Sequence, residues 1–396
     1  MAKENPPYVM LKNGREASLL RGHPWIFSGA VARVSGNAAA GDVVTVTDAK
    51  GQALALAFYH PATDIALRVL SADVSRPVNE AFWRERVGAA LDLRRRLLSD
   101  QTTAWRWINA EGDGCPGLIV DAYGDTLVLS VTTAGMEKHK GAVVQALVDL
   151  AGPSRIYEQS AGRSRKLEGL EEARGYIVGK APDGPVRVFE NGHAFDVDIE
   201  GGQKTGFFLD QRKNRETLGA LASGATVLNC FCYTGAFSVY CVAGGAARVV
   251  SVDISQSACE ATARHLRQNG FDPDRHPVVA ADAFVYLRHL PESFDLMILD
   301  PPAFAKTRKD VTRASRGYKD INLQAMKQLP SGGLLATFSC SNFIEEDLFG
   351  KIVGAAASDA KVRIQVLARL EAGPDHPTGL GHPEGRYLKG LLLRKL

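Results

Sequence analysis

The chain has 396 residues, 45% apolar and 23% charged, with a net charge of +3. That length predicts two or three domains of about 100–200 residues, and the composition excludes a disordered polymer. The small positive balance permits an anionic partner without requiring one. The six cysteines (Cys115, Cys230, Cys232, Cys241, Cys259 and Cys340) do not form the paired framework of a small secreted domain. No charged segment followed by an apolar run opens the chain, and no apolar stretch reaches the roughly 18 residues of a membrane span. A cytoplasmic protein with reduced thiols and no membrane contact is expected.

Residues 1–75 read as all-β. "GDVVTVTD" (41–48) alternates apolar and polar residues, and "QALALAFYH" and "IALRVLS" follow with β-type patterning, which suggests a small barrel or sandwich. In "RGHPWIFSGAV" (21–31), Trp25 reads as a core residue and Arg21 and His23 as a solvated turn. Residues 76–188 read as a small α+β unit. A helix at 80–98 places Phe82, Val87, Leu91 and Leu98 near one stripe, with Arg94–Arg96 on a solvated face. Strand–turn–strand follows at 117–133, then a helix at 137–150 and a strand at 155–160. "GKAPDGP" (179–185) makes a boundary.

Residues 189–396 alternate strands and helices. The strands "ATVLNCFC", "ARVVSVDIS", "FDLMILD" and "GGLLATFSC" are near-continuous apolar runs, as in a doubly wound sheet with parallel strands buried on both faces. Such sheets bind ligands beyond the carboxyl ends of their strands. Gly235 follows the first strand and lets the backbone approach a ligand closely. Asp253 ends the second, where an acid suits the two hydroxyls of a ribose. Asp282-Ala283 follows a third, short strand that precedes "FDLMILD", and could accept from an adenine amino group. "DPPAF" (300–304) ends the fourth, and two prolines stiffen the loop that presents Asp300. Each aspartate alone could be a helix cap or a turn; four features in register at successive strand ends point to a nucleoside site. Cys230 and Cys232 alternate on one strand and lack a second Cys/His pair with zinc spacing, so no metal is expected. Cys259 and Cys115 read as core and turn filler.

On "GQKTGFFLDQRKNR" (202–215), "VLNCFCYTGAFS", "VVSVDIS", "DAFVYL", "LDPPAF", "FSCSNF" and the tail "HPEGRYLKGLLLRKL", residues 189–396 resemble a class I methyltransferase dependent on S-adenosylmethionine (SAM). The whole chain resembles the bacterial 23S rRNA (cytosine-5) methyltransferases of the large-subunit methyltransferase I family. The resemblance implies a PUA-type RNA-binding barrel at 1–75, a small α+β connector at 76–188, and a Rossmann-like catalytic domain at 189–396. It also implies that Phe208, Asp210 and Gln211 neighbour SAM, and that Asn229, Tyr233, Thr234 and Gly235 line its methionine end. Asp253 would hold the ribose, Asp282 and Ala283 the adenine side, and Asp300 would sit between cofactor and base.

Carbon-5 of cytosine is a poor nucleophile. A thiolate that adds at carbon-6 turns it into an enamine carbon, so a cysteine at the mouth of a strand, Cys340, is the candidate nucleophile. Asp300 could stabilise charge on the ring. Many RNA cytosine-5 methyltransferases carry a second cysteine in the Asp-Pro loop; here Ala303 stands there, as in the narrower family, and the base that removes the carbon-5 proton is unassigned. Ala303 before Phe304 also disfavours methylation of an exocyclic amine of guanine or adenine, the alternative within this class. An RNA-binding assembly factor without catalysis is the alternative outside it. The basic stretch 305–320, with Lys306, Arg308, Lys309, Arg313 and Arg316, reads as a flexible segment that tracks RNA phosphates. Large-subunit rRNA is the implied partner; a homodimer is left open.

Overall fold

A computed structural model describes residues 7–202 and 206–396. The first six residues of the predicted barrel, and Gln203, Lys204 and Thr205 of the 202–215 stretch, lie outside the described residues. The chain forms two compact units: one runs to Val188 and includes 197–207 and 374–385; the other comprises 189–196, 208–373 and 386–396.

The first unit holds two sheets. Six strands pair in the order Trp25–Phe27, Ile65–Ser71, Ala53–Tyr59, Val43–Thr47, Tyr8–Leu11, Val31–Ser35. Val44 and Val46 point inward with Val9, Leu11, Ala55, Ala57 and Leu67, which is what the alternation in 41–48 requires. Trp25 is half-buried and not a core residue; its Nε1 donates to Glu111 Oε1 at 2.8 Å. The second sheet has five strands, Ala173–Val178, Arg155–Ser160, Thr126–Val131, Leu118–Tyr123 and Ala104–Asn109, in that order. Helices Glu80–Leu97 and Ala134–Ala151 pack on it, capped by Asn79 and Thr133, whose side chains accept from Phe82 N and Met136 N.

The arginine triple is not one solvated face. Arg94 is 1% exposed, with its two terminal nitrogens 2.5 and 2.7 Å from the Asp113 carboxylate. It also donates to the carbonyls of Arg106 and Asp375 at 2.9 and 2.8 Å. Five fixed donors met by a carboxylate and carbonyls make a buried guanidinium tolerable. Arg95 and Arg96 are exposed.

The second unit is the doubly wound sheet. Its strands are β1 (Thr226–Cys230), β2 (Arg248–Asp253), β3 (Val278–Ala280), β4 (Leu296–Leu299), β5 (Leu334–Ser339), β6 (Ile364–Leu370) and β7 (Lys389–Lys395). They lie in the order β3-β2-β1-β4-β5-β7-β6; the first five are parallel, and β7 runs antiparallel to both of its neighbours. Successive residues face opposite sides. Leu228, Val250, Met297 and Leu335 join one core cluster, and Val227, Val249, Leu296 and Ala336 join the other. Helices cover both faces, so the strands can be apolar throughout, at about 1.5–3 kcal/mol per buried large side chain. The relevant helices are α1 (Arg212–Ala220), α2 (Ala236–Ala243), α3 (Gln256–Gln268), α4 (Val311–Gln328) and α5 (Glu346–Ala360). The strand order reverses between β1 and β4, so a crevice at their carboxyl ends is the expected ligand position.

Candidate active site

β1 ends at Cys230, two residues earlier than an alternating strand through Cys232 would need, because Phe231 turns the backbone at φ 59°. Tyr233 and Gly235 are also left-handed, at φ 48° and 78°. Left-handed phenylalanine and tyrosine persist only when the surroundings over-determine them. The Tyr233 amide donates to Asp253 Oδ2 at 2.9 Å, tying the β1 exit to the end of β2. On α3, Thr262 Oγ1 donates to the Tyr233 carbonyl at 3.0 Å, and His265 Nδ1 donates to the Thr234 carbonyl at 2.7 Å. His265 Nε2 accepts from Asp196 N at 3.0 Å, which fixes the neutral Nδ1–H tautomer; burial holds its pKa below the ordinary value. A Cβ at Gly235 would stand 2.4 Å from Thr262 Cγ2. Glycine is needed there for helix packing and a positive φ, so close ligand approach is not required to explain it.

Asp253 uses Oδ2 for Tyr233 and Oδ1 for Ser255 N at 2.9 Å, and each carboxylate oxygen keeps a second lone pair for a ligand hydroxyl. Asn229 is fully buried and its amide donates to Ser238 Oγ at 2.9 Å; Oδ1 has no partner among the described residues. Thr234 is half-buried. Asp282 is exposed and caps the turn Ala283–Tyr286, accepting from Phe284 N at 2.7 Å and Val285 N at 3.3 Å, while the Ala283 side chain sits in the core.

Phe208 meets Tyr233 edge to face at 5.2 Å between ring centroids, so this residue lies at the β1 exit. Asp210 and Gln211 are 3% and 2% exposed. Tyr387 donates its hydroxyl to Asp210 Oδ2 at 2.5 Å, and Asn214 donates to Gln211 Oε1 at 2.6 Å. This turn stands on a buried ion cluster. Glu190, fully buried, accepts from Arg215 at 2.7 Å through both oxygens, from Arg212 at 3.2 Å and from Tyr240 at 3.1 Å; Arg215 Nη1 reaches the Phe208 carbonyl at 2.9 Å.

Asp300 follows β4, and Cys340 follows β5, its parallel neighbour. The two loops are joined. Ala305 N donates to Ser341 Oγ at 3.3 Å, and that oxygen also lies 2.9 Å from the Tyr318 hydroxyl. Cys340 is half-buried, whereas Cys115, Cys230, Cys232, Cys241 and Cys259 are buried. Burial pushes those five thiols up, to about 12 for Cys115 and Cys241. Lys389, on β7, donates to the Ser341 carbonyl at 2.8 Å.

Lys306, Arg308, Lys309, Arg313 and Arg316 are all exposed. They do not lie on a flexible segment. Thr307 and Asp310 form a reciprocal capping box, and Arg313 and Arg316 sit in the first turns of α4. No group of three or more His, Cys, Asp or Glu able to hold a metal occurs among the described residues, and no helix among them is long and apolar enough to cross a membrane.

Residue patterns did not pick out Thr262, His265, Tyr387, Tyr318 or Lys389. Thr262 and His265 fall on the same stripe as Cys259 and Leu266, so polar groups on a buried helix face were the available signal.

Comparison with known proteins agrees with this geometry. The family profile of S-adenosylmethionine-dependent methyltransferases matches residues 157–394, and that of PUA-like domains matches residues 9–72. A protein of Alteromonas mediterranea named ribosomal RNA large subunit methyltransferase I is 44% identical over 97% of this chain and 98% of its own. One of Aeromonas hydrophila with the same name is 44% identical over 98% of each. The chain belongs to the ribosomal RNA large subunit methyltransferase I family. It is a SAM-dependent methyltransferase with an N-terminal PUA-like domain. Among solved structures, SMU.776 complexed with SAH superposes with a TM-score of 0.84 at 25% identity, over 98% of this chain and 100% of that one. A SAM-dependent methyltransferase of Agrobacterium tumefaciens shares the fold alone, with a TM-score of 0.52 at 17% identity over 75% and 90% of the two chains. The residues at the β1 and β2 ends fit the cofactor: Asp253 offers spare acceptor capacity, and Asn229 Oδ1 is a buried acceptor without a partner among the described residues.

Proposed function

We propose that this methyltransferase forms 5-methylcytosine in 23S rRNA, in the cytoplasm, through a covalent adduct between Cys340 and carbon-6 of the base. The observation that carries this reading is the position of Cys340. It is the half-buried cysteine among five buried ones, at the end of the strand beside β4, and its loop is tied to the Asp-Pro loop through Ser341 and Ala305. Bound SAM supplies an electrophilic methyl group. Asp253 holds the ribose, Asp282 the adenine side, and Phe208, Tyr233 and Thr234 border the methionine end. Asn229 and Asp210 shape that pocket from within, and Asp300 steadies charge on the ring while the thiolate is bonded to it. A base in folded RNA must be splayed out to meet the thiol, and Lys306, Arg308, Lys309, Arg313 and Arg316 hold the flanking phosphates.

RNA carrying 5-fluorocytidine tests the reading. Fluorine cannot leave as a proton does, so the protein with SAM should become covalently trapped on that RNA. Methyl transfer to ordinary RNA with no trapped species on the fluorinated one would sink it, as would full activity of Cys340→Ala.

A further inference from the structure

Lys389 stands opposite Ser339, the residue before Cys340, in the β5–β7 ladder. Its Nζ bonds the carbonyl of Ser341, the residue after Cys340, at 2.8 Å. The side chain therefore runs alongside the cysteine, and it is only 8% exposed. An ammonium has three donors, and Ser341 takes one. The other charged and titratable groups here are Glu345 and Glu346, before and at the start of α5, and Tyr318 on α4, which reaches the cysteine loop through Ser341 Oγ at 2.9 Å. Burial pulls the Lys389 ammonium down to about 8, against the opposing pull of Cys340, Glu345 and Glu346. Lys395, on the same strand, shows the purely structural use of a lysine: it donates to the Met326 and Leu329 carbonyls.

We propose that Lys389 is the proton partner of Cys340: as an ammonium it holds the thiol ionised, and as an amine it takes the carbon-5 proton that ends the reaction. This rests on the cysteine-adduct reading above. The thiolate electron pair forms the sulfur–carbon-6 bond, and carbon-5 takes up the methyl group as the demethylated cofactor leaves. The sulfur is then a neutral thioether, so Lys389 has lost its counter-charge and releases a proton to solvent. The amine next accepts the carbon-5 proton. The C–H electron pair becomes the carbon-5–carbon-6 double bond, the carbon–sulfur bond breaks, and the thiolate returns beside an ammonium. The one proton released matches the positive charge that the methyl donor brings in.

Alkylation of the native full-length protein by iodoacetamide, followed across pH by mass spectrometry of the Cys340 peptide, tests the first role without RNA. The five other thiols are buried, so the signal belongs to Cys340. The wild-type profile should place this thiol below the ordinary value of about 8.5. Lys389→Met should slow alkylation at pH 7 about tenfold, the equivalent of one pK unit, while Lys389→Arg, which keeps the charge, stays within about threefold. Lys389→Arg with SAM and ordinary RNA should then accumulate the covalent adduct and turn over about 10²–10⁴-fold more slowly, since arginine cannot act as the base. An unchanged alkylation profile in Lys389→Met overturns the pairing. If that variant does not fold, a wild-type thiol with an ordinary profile overturns it instead. Near-normal turnover by Lys389→Arg overturns the base role. A normal alkylation shift together with no adduct on 5-fluorocytidine RNA overturns the reaction assignment rather than the pairing.

Discussion

Two strand ends of one sheet carry cysteines in different surroundings. At the β1 exit, Cys230 and Cys232 are buried, and the surrounding backbone is pinned by the side chains of Asp253, Thr262 and His265. At the β5 exit, Cys340 is half-buried, and the next residue, Ser341, is held by Lys389 through its carbonyl and by Tyr318 through its hydroxyl. On the proposed function, the difference means that a thiol's chemistry is set by what surrounds the strand end and not by the strand that delivers it. One exit holds a shape, and on the proposed mechanism the other changes charge.

The comparison can be broken most directly by exchanging the fates of the two thiols. Cys340→Ala should lower methyl transfer on the order of 10³-fold or more with cofactor affinity unchanged, whereas Cys232→Ala should keep turnover near wild type; assays of both variants on one RNA decide it. Removing the buried anion behind the Phe208 turn is next in size. Glu190→Ala strands Arg212 and Arg215 and should cost about 3–5 kcal/mol in a denaturant titration. At the binding end, Asp253→Ala should weaken SAM about 10–100-fold by calorimetry, as loss of charge-assisted hydrogen bonds implies, with Cys340 alkylation unaffected. Gly235→Ala, which meets Thr262, should cost about 1–3 kcal/mol, seen as a lowered Tm.

The smallest effect concerns pH. His265 titrates below its ordinary 6.5 in the fold, so between those two values the unfolded chain binds more protons than the native one. Stability should therefore fall as pH drops below about 6.5, and His265→Gln should flatten that limb of a Tm-against-pH curve.

Much of the architecture was legible because apolar runs with acids at their ends signal both a buried parallel sheet and a nucleoside crevice. The place of Cys340 at the mouth of a strand was legible for the same reason. What was not legible is contact across distance. Arg94 looked like one of three solvated arginines because its partners, Asp113 and Asp375, come from separate segments. The capping box at Thr307 and Asp310 was passed over in a stretch dominated by positive charge, so an ordered helix start read as a flexible loop. The place of Lys389 beside the Cys340 loop was invisible because β7 inserts antiparallel between β5 and β6, a placement that no local spacing announces.

The paired grip of Thr262 and His265 on consecutive carbonyls has a thermodynamic corollary. A loop held this way loses little conformational entropy when a ligand arrives. The Tyr233 amide, bonded to Asp253, should already resist hydrogen exchange in the free protein. On the proposed function, such a site recognises the parts of a nucleoside that donor and spent product share, and so it should distinguish the two weakly. Product inhibition, rather than slow loop closure, is then the expected brake on repeated turnover.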